Sequence, residues 1–207
     1  MSNFSISNFI SEVNTRGLAR PSRFEVFILP PPGLGSLTTS SKFISLMCES
    51  ASLPAMTVST KPYRIYGASY QRPISSDFNG DGITLSFYVD NLMEVKSFFD
   101  AWMFKVVNPN SFNVSYQKDY ISQIKISQLN EKNAETYSVY LEDAFPRAIN
   151  LLDLNMGATN QVHKLNITFA YRRWFPESEF LNRLNFNPDL SDLQQTRRET
   201  LIASTAS

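Results

Sequence analysis

Ile83-Thr84-Leu85-Ser86-Phe87-Tyr88-Val89 alternates, with Ile83, Leu85, Phe87 and Val89 on one side and Thr84, Ser86 and Tyr88 on the other. A period of two marks a strand with one buried face. Directly downstream the period changes. Leu92, Val95, Phe99, Trp102 and Val106 recur at three- and four-residue steps, which places them on one stripe of an α-helix. Asn91 stands where an N-cap is expected, with Glu94 three residues on, and Asn108-Pro109 supplies the stop. Phe98, Met103 and Phe104 flank the stripe, so the helix is too apolar to lie free on a surface. The spacing predicts a core helix covered by a sheet or by a neighbouring subunit.

Upstream, residues 4–16 read as a short amphipathic helix with Ile6, Phe9, Ile10 and Val13 on one face, closed by Gly17. A helix this short is marginal alone and must dock on something. Pro21 then pushes Arg20 out of the helical region. A first strand is expected at Phe24–Ile28, followed by the stiff turn Pro30–Gly35 and the Ser/Thr-rich loop Ser36–Ser41. A second strand is expected from Phe43 to Cys48, ending near Leu53-Pro54. Residues 57–74 then interleave Tyr63, Tyr66 and Tyr70 with Lys61, Arg64 and Arg72 and hold no acid. They predict an extended hairpin, turning at Gly67-Ala68, with little core of its own. A loop from Ser75 to Gly82 leads into the strand quoted first.

Downstream, short strands are expected at Ile121–Leu129 and Tyr137–Leu141, a bend at Ala144–Ile149, and a last strand at Lys164–Trp174. Asn187-Pro188 is a helix start, cap then proline, and a terminal helix is expected over Asp189–Ile202. Six or seven short strands with one strong internal helix predict a mainly β fold. It is an antiparallel two-sheet β-sandwich or barrel over residues 1–175, with residues 176–207 as a C-terminal extension.

Composition excludes several classes of function. The 207 residues hold 19 Lys plus Arg and 19 Asp plus Glu, so no global charge points to nucleic acid or an anionic membrane. Cys48 is the single cysteine, which rules out a disulfide framework and a thiolate metal cluster. No basic-then-apolar leader opens the sequence, and no apolar run approaches the roughly 18 residues that span a bilayer. The chain is expected to be soluble and not exported by a signal of its own.

The chemistry-bearing residues do not converge. His163 is the single histidine, and neither it nor Cys48 has the context of a catalytic nucleophile or base. Asp77-Phe78-Asn79-Gly80-Asp81-Gly82 copies the opening of a calcium loop, but the twelfth position is Tyr88 and a strand follows. It reads as a turn. Glu142-Asp143 are neighbours and on a strand face opposite sides. Gly33-Leu34-Gly35 lacks the lysine of a phosphate loop. The Lys61, Arg64 and Arg72 group with its tyrosines could stack on single-stranded nucleic acid, but three cations are few for that, and a protein interface, where Tyr and Arg are enriched, is the better reading. No catalytic residue, metal or cofactor is expected, and the chain reads as a structural part rather than an enzyme.

The order of these landmarks resembles the tail tube proteins of contractile-tailed bacteriophages. The resemblance is carried by the helix leading into Ala19-Arg20-Pro21-Ser22-Arg23-Phe24-Glu25-Val26, and by Cys48-Glu49-Ser50-Ala51-Ser52-Leu53-Pro54. The hairpin through Arg72, the Phe99–Trp102 helix, Ala144-Phe145-Pro146-Arg147-Ala148-Ile149 and the ending Tyr171-Arg172-Arg173-Trp174 follow in the family's order. It covers about residues 4–175. The resemblance implies homohexameric rings stacked into a hollow tube of the virion tail, assembled in the host cytoplasm. It implies a lumen barrel built from hairpins, here with Tyr63, Arg64, Tyr66, Tyr70 and Arg72 as candidates. Ring stacking would use Ile6, Phe9, Ile10 and Val13. Implied partners are the tail sheath protein, baseplate and tail-terminator proteins, and in the lumen the tape measure protein and DNA, without sequence-specific binding. Two alternatives stand beside the repeated tube subunit. One is a baseplate tube initiator or tail terminator of the same fold, with the tube of a secretion or injection system as a close relative. The other is a monomeric β-sandwich binding module.

Overall fold

The computed structural model describes residues 5–32, 34, 41–77, 82–157 and 159–179. Along them run α1 (Ile6–Arg16), β1 (Phe24–Ile28), α2 (Ser41–Leu46), β2 (Cys48–Ala51), β3 (Thr57–Ile65), β4 (Ala68–Asp77) and β5 (Ile83–Tyr88). Then come α3 (Glu94–Val106), α4 (Gln117–Tyr120), β6 (Ser122–Leu129), β7 (Glu135–Ile149), β8 (Lys164–Ala170) and β9 (Arg173–Pro176). The fold is mainly β and antiparallel. One hydrogen-bonded path runs β1-β6-β7-β8-β5-β2, with β9 added on β7, and it does not close into a barrel. Strands β3 and β4 form a separate hairpin.

The long strand β7 joins two sheets. Its first half pairs with β6 and β9, and from Phe145 onward it pairs with β8. The changeover falls at Asp143, whose φ of 54° is a left-handed kink that a carboxylate residue tolerates better than a β-branched one. This corrects the expected bend at Ala144–Ile149. The change of direction is taken up at Asp143, which leaves Ala144–Ile149 extended inside β7. The expected strand Lys164–Trp174 is likewise two strands, β8 and β9. It breaks at Tyr171-Arg172 because β8 pairs with the second half of β7 and β9 with the first.

The core lies between the sheets and under α3. Leu85, Phe87, Val95, Phe99, Trp102, Leu141, Leu165, Ile167 and Phe169 have no exposed surface. Phe99 sits 5.0 Å from Phe87 and 6.0 Å from Phe169, centroid to centroid. At roughly 1.5–3 kcal/mol for each large side chain buried, this cluster outweighs any other contact in the fold. The Trp102 indole N–H, which burial would otherwise leave unpaired, donates to the Tyr120 carbonyl at 2.8 Å.

The helix start differs from expectation. Leu92 lies before α3 and is 75% exposed, so the buried stripe is Val95, Phe98, Phe99, Trp102 and Val106. The cap is Asp90 rather than Asn91. Its carboxylate accepts from the Leu92 and Val95 backbone N–H groups, both at 3.1 Å. Met93 is left-handed at φ 56°, which delays the first turn and leaves Leu92 outside. The expected strand Phe43–Cys48 is also corrected. Phe43, Ile44 and Met47 fit helical steps as well as an apolar run, and α2 buries Ile44 while Ser45 Oγ donates back to the Ser41 carbonyl at 3.0 Å. The strand β2 begins only at Cys48. Of the expected Ser/Thr loop, residues 36–40 lie outside the described residues, as do residues 78–81 of the turn and the whole of the expected terminal helix.

Candidate functional site

Three exposed surfaces depart from what a monomer of this size presents: the hairpin, α1, and the connection between β7 and β8.

The hairpin is longer than its composition predicts, reaching Asp77 through Ser75 and Ser76, which were expected in a loop. It turns at Tyr66-Gly67 rather than Gly67-Ala68. Both turn residues have positive φ, 49° and 87°, the pairing a two-residue type I′ turn requires. Every described side chain from Thr57 to Asp77 is exposed. Tyr63 pairs across the strands with Tyr70, the rings edge-to-face at 5.5 Å. The Arg72 guanidinium lies 5.5 Å from the Tyr63 centroid, and Lys61 faces Arg72 in the register. These four share one face, since directly opposed residues do. Arg64 opposes Ser69 on the other face, and Tyr66 stands at the tip. Of the five hairpin candidates the structure therefore gathers Tyr63, Tyr70 and Arg72 and separates Arg64 and Tyr66. No ion pair of Lys61, Arg64 or Arg72 with a carboxylate occurs among the described residues. The root is tied down where Trp174 Nε1 donates to the Ala55 carbonyl at 3.2 Å, an anchor that sequence reading missed because it joins residues 119 apart.

Helix α1 holds itself together. Ser5 caps it by accepting from the Asn8 N–H at 3.3 Å, Gly17 closes it with φ 72°, and Arg16 pairs with Glu12 at 2.9 Å. It has no buried residue. Ile6, Phe9 and Ile10 are 75%, 55% and 51% exposed, and Val13 is half-buried. The apolar face expected to dock is on this chain uncovered.

The polar groups serve the scaffold. Glu142 and Asp143 do not face opposite sides as strand alternation predicts, because Asp143 is kinked. Arg172 reaches both, Nη2 to Glu142 at 3.0 Å and Nε to Asp143 at 2.9 Å, while Arg173 Nε meets Glu142 at 2.5 Å. Burial alone would raise the Glu142 carboxyl, but the two guanidinium groups overcome that and hold it below its ordinary range. On β6 and β7, burial would lower the Lys125 ammonium, yet its bond to Glu135 at 2.7 Å keeps it raised. Burial pushes the Cys48 thiol up to about 12, the environment of an inert rather than a nucleophilic thiol. His163 is exposed, and its carbonyl accepts from the Val89 N–H at 3.1 Å. No group of three or more His, Cys, Asp or Glu side chains placed to hold a metal occurs among the described residues. No described helix is long and apolar enough to cross a membrane.

A family model described as phage tail tube protein matches residues 19–177. Among solved structures, the chain is similar to the sheath/tube terminator of the PVC extracellular contractile injection system in its extended state, at 19% identity and a TM-score of 0.54, over 77% of this chain and 96% of that one. It is similar to the extended sheath–tube complex of the same system at 18% identity and a TM-score of 0.53, over 84% and 99%. It is also similar to the tube-terminating cap of the anti-feeding prophage at 21% identity and a TM-score of 0.52, over 77% and 91%. These three are likenesses of fold. No curated protein matches the chain in sequence.

Proposed function

This chain belongs to the phage tail tube protein family, and on that premise we propose that it is the repeated subunit of a virion tail tube, closing into six-membered rings that stack around a hollow lumen. The observation that carries this reading is the hairpin. A lone two-stranded ribbon with no buried side chain among its described residues is marginal in water, and edges that pair with no other described strand invite pairing with any other. A ring of copies removes both problems, because the β3 edge of one hairpin meets the β4 edge of the next and the ribbons join into one barrel. Tyr63, Tyr70, Arg72, Arg64 and Tyr66 then line that barrel or its inter-subunit seam. The uncovered face of α1, with Ile6, Phe9, Ile10 and Val13, meets the next ring in the stack.

In this reading the genome passes through the lumen with only backbone and shape contact, the tape measure protein occupies the lumen before it, and a sheath holds the outer wall. Baseplate and terminator proteins close the two ends. The test is negative-stain electron microscopy of the purified chain at high concentration. Long hollow tubes of uniform width are the expected result. A stable monomer at every concentration would defeat the reading. Isolated rings that never stack would favour the second one, a terminating or initiating ring, which the same fold also serves in the similar terminator structures.

A further inference from the structure

The connection between β7 and β8, residues 150–163, carries Leu151, Leu154, Met156 and Val162 at 88%, 80%, 104% and 64% exposure. Such a cluster is unusual for a surface loop, since large contiguous apolar patches on soluble chains mark interaction sites. Between Asn150 and Val162 the sole ionisable residue is Asp153. The two limbs of the loop face each other across an open cleft lined by Leu151, Leu152 and Val162 together with Asp153, Gln161, His163 and Lys164. Both limbs are anchored at the sheet, with the Asn150 N–H on the Asn166 carbonyl at 2.9 Å and the Val89 N–H on the His163 carbonyl at 3.1 Å.

We propose that this cleft receives the apolar face of α1 from another copy of the same chain, in a head-to-tail contact between successive layers. The inference rests on the stacking reading above and names its receiving surface. Topology supplies the first argument. The chain leaves α1 and enters the fold beside the β6–β7 turn, where Arg20 pairs with Glu131 at 3.4 Å and Arg23 Nη1 donates to the Glu131 carbonyl at 2.8 Å. That turn is at the Glu135 end of β7, while the cleft begins at its Ile149 end. Fourteen residue steps of strand, at about 3.3 Å each, set the two sites on the order of 45 Å apart along the strand, less the kink. The two uncovered apolar surfaces thus join the fold at opposite ends of β7. A contact between two different surfaces of this kind is heterologous, and where the rotation between copies does not close on itself it repeats without end, which is how a stack grows.

Chemistry supplies the second argument. The cleft offers the apolar α1 face Leu151, Leu152 and Val162, beside the polar Asp153, Gln161, His163 and Lys164, and the two charges of α1, Glu12 and Arg16, already pair with each other, so docking buries no unpaired charge from the helix. At roughly 60–120 Å² per large apolar side chain removed from water, Ile6, Phe9 and Ile10 with Leu151 and Val162 of the cleft amount to about 300–600 Å². One such contact is below the roughly 1,600 Å² of a standard interface. It suffices only when the copies within a layer engage together, as a ring makes them do.

The test uses the full chain and leaves the half-buried Cys48 in place. Ile10→Cys and Val162→Cys are purified separately, mixed, assembled and treated with a short bismaleimide. A covalent dimer in the mixture and in neither variant alone is the expected result. Tubes that form with no such dimer overturn the cleft assignment while leaving the tube reading standing. If the unmodified chain forms neither rings nor tubes, the tube reading fails and this inference with it. As an independent variant, Leu151→Asp with Val162→Asp is expected to leave rings that do not stack, and unaltered tubes from that variant overturn the inference.

Discussion

At the scale of single residues, two positions carry constraints that their neighbours cannot share. Gly82 has φ 90°, and a Cβ there would collide with the Phe169 carbonyl of the adjacent strand. Because the obstacle is backbone, it cannot rotate away. Gly82→Ala is expected to cost about 2 kcal/mol or more, against about 1 kcal/mol for Gly67→Ala, where φ is 87° but the space is open. Thermal denaturation of the two variants measures the difference, and equal melting temperatures would show that the strand gives way. Glu142 is the second. Its folded pKa is depressed, so its contribution is complete above the ordinary carboxylate value of 4.5 and is lost as the pH falls through the folded pKa. The chain should therefore weaken on acidification below that value. Glu142→Gln should flatten this acid limb and lower stability at neutral pH by about 2 kcal/mol, leaving Arg172 and Arg173 without their shared acceptor. Denaturation followed at several pH values distinguishes the two effects, and an unchanged acid limb would place the sensitivity elsewhere.

At the scale of elements, α3 depends on how it begins as well as on what it buries. Desolvation alone would raise the Asp90 carboxyl, but the backbone N–H groups of Val95, Glu94 and Leu92 hold it lowered. Asp90→Ala should cost about 1 kcal/mol and fray the first turn, whereas Asn91→Ala should cost little. A melt that ranks the two the other way would restore Asn91 as the cap. The two-residue period of β5 and the stripe from Val95 to Val106 were legible in the sequence because burial of one face dictates the spacing of apolar residues. So was a hairpin without a core, because Tyr, Arg and Lys displaced aliphatic residues along it. What escaped depends on partners distant in the chain. The run at Phe43–Met47 has no period that decides between helix and strand, and its packing against β1 decides it. The kink at Asp143 and the break at Tyr171-Arg172 exist because β7 serves two sheets, a fact of topology rather than of local pattern. The β7–β8 cleft escaped for a related reason. Its leucines fall in a stretch of Asn, Gly and Thr that reads as turn material, and only the folded chain gathers Leu151 and Val162 on either side of one opening.

At the scale of the whole molecule, the sandwich acts as a frame that holds three uncovered surfaces apart: α1 at one end of β7, the cleft at the other, and the hairpin rooted where Trp174 meets Ala55. Surfaces joined to the two ends of β7 suit stacking, and one rooted between them suits closure within a layer, so the two kinds of contact should be separable by mutation. Phe9→Asp with Val13→Asp touches a helix with no buried residue, and should leave the fold and any rings intact while blocking tubes. Unchanged tubes would remove α1 from the stacking interface. The hairpin is expected to behave in the opposite sense. Thr57 and Asp77 face each other across its base, and opposed strand residues lie only about 5 Å apart, so residues 58–76 can be replaced by a short Gly-Ser turn without displacing β2 or β5. Since no described side chain from Thr57 to Asp77 is buried, the shortened chain should stay folded, with a melting temperature within a few degrees of the parent. It should also remain monomeric under conditions where the parent forms rings, as sedimentation velocity would report. Rings from the shortened chain would mean that closure uses the sandwich walls rather than the hairpin. A large drop in melting temperature would mean that the hairpin supports its own subunit. A folded monomer would place the hairpin's role between subunits, where its exposed tyrosines and free strand edges find the partners that one copy of the chain does not supply.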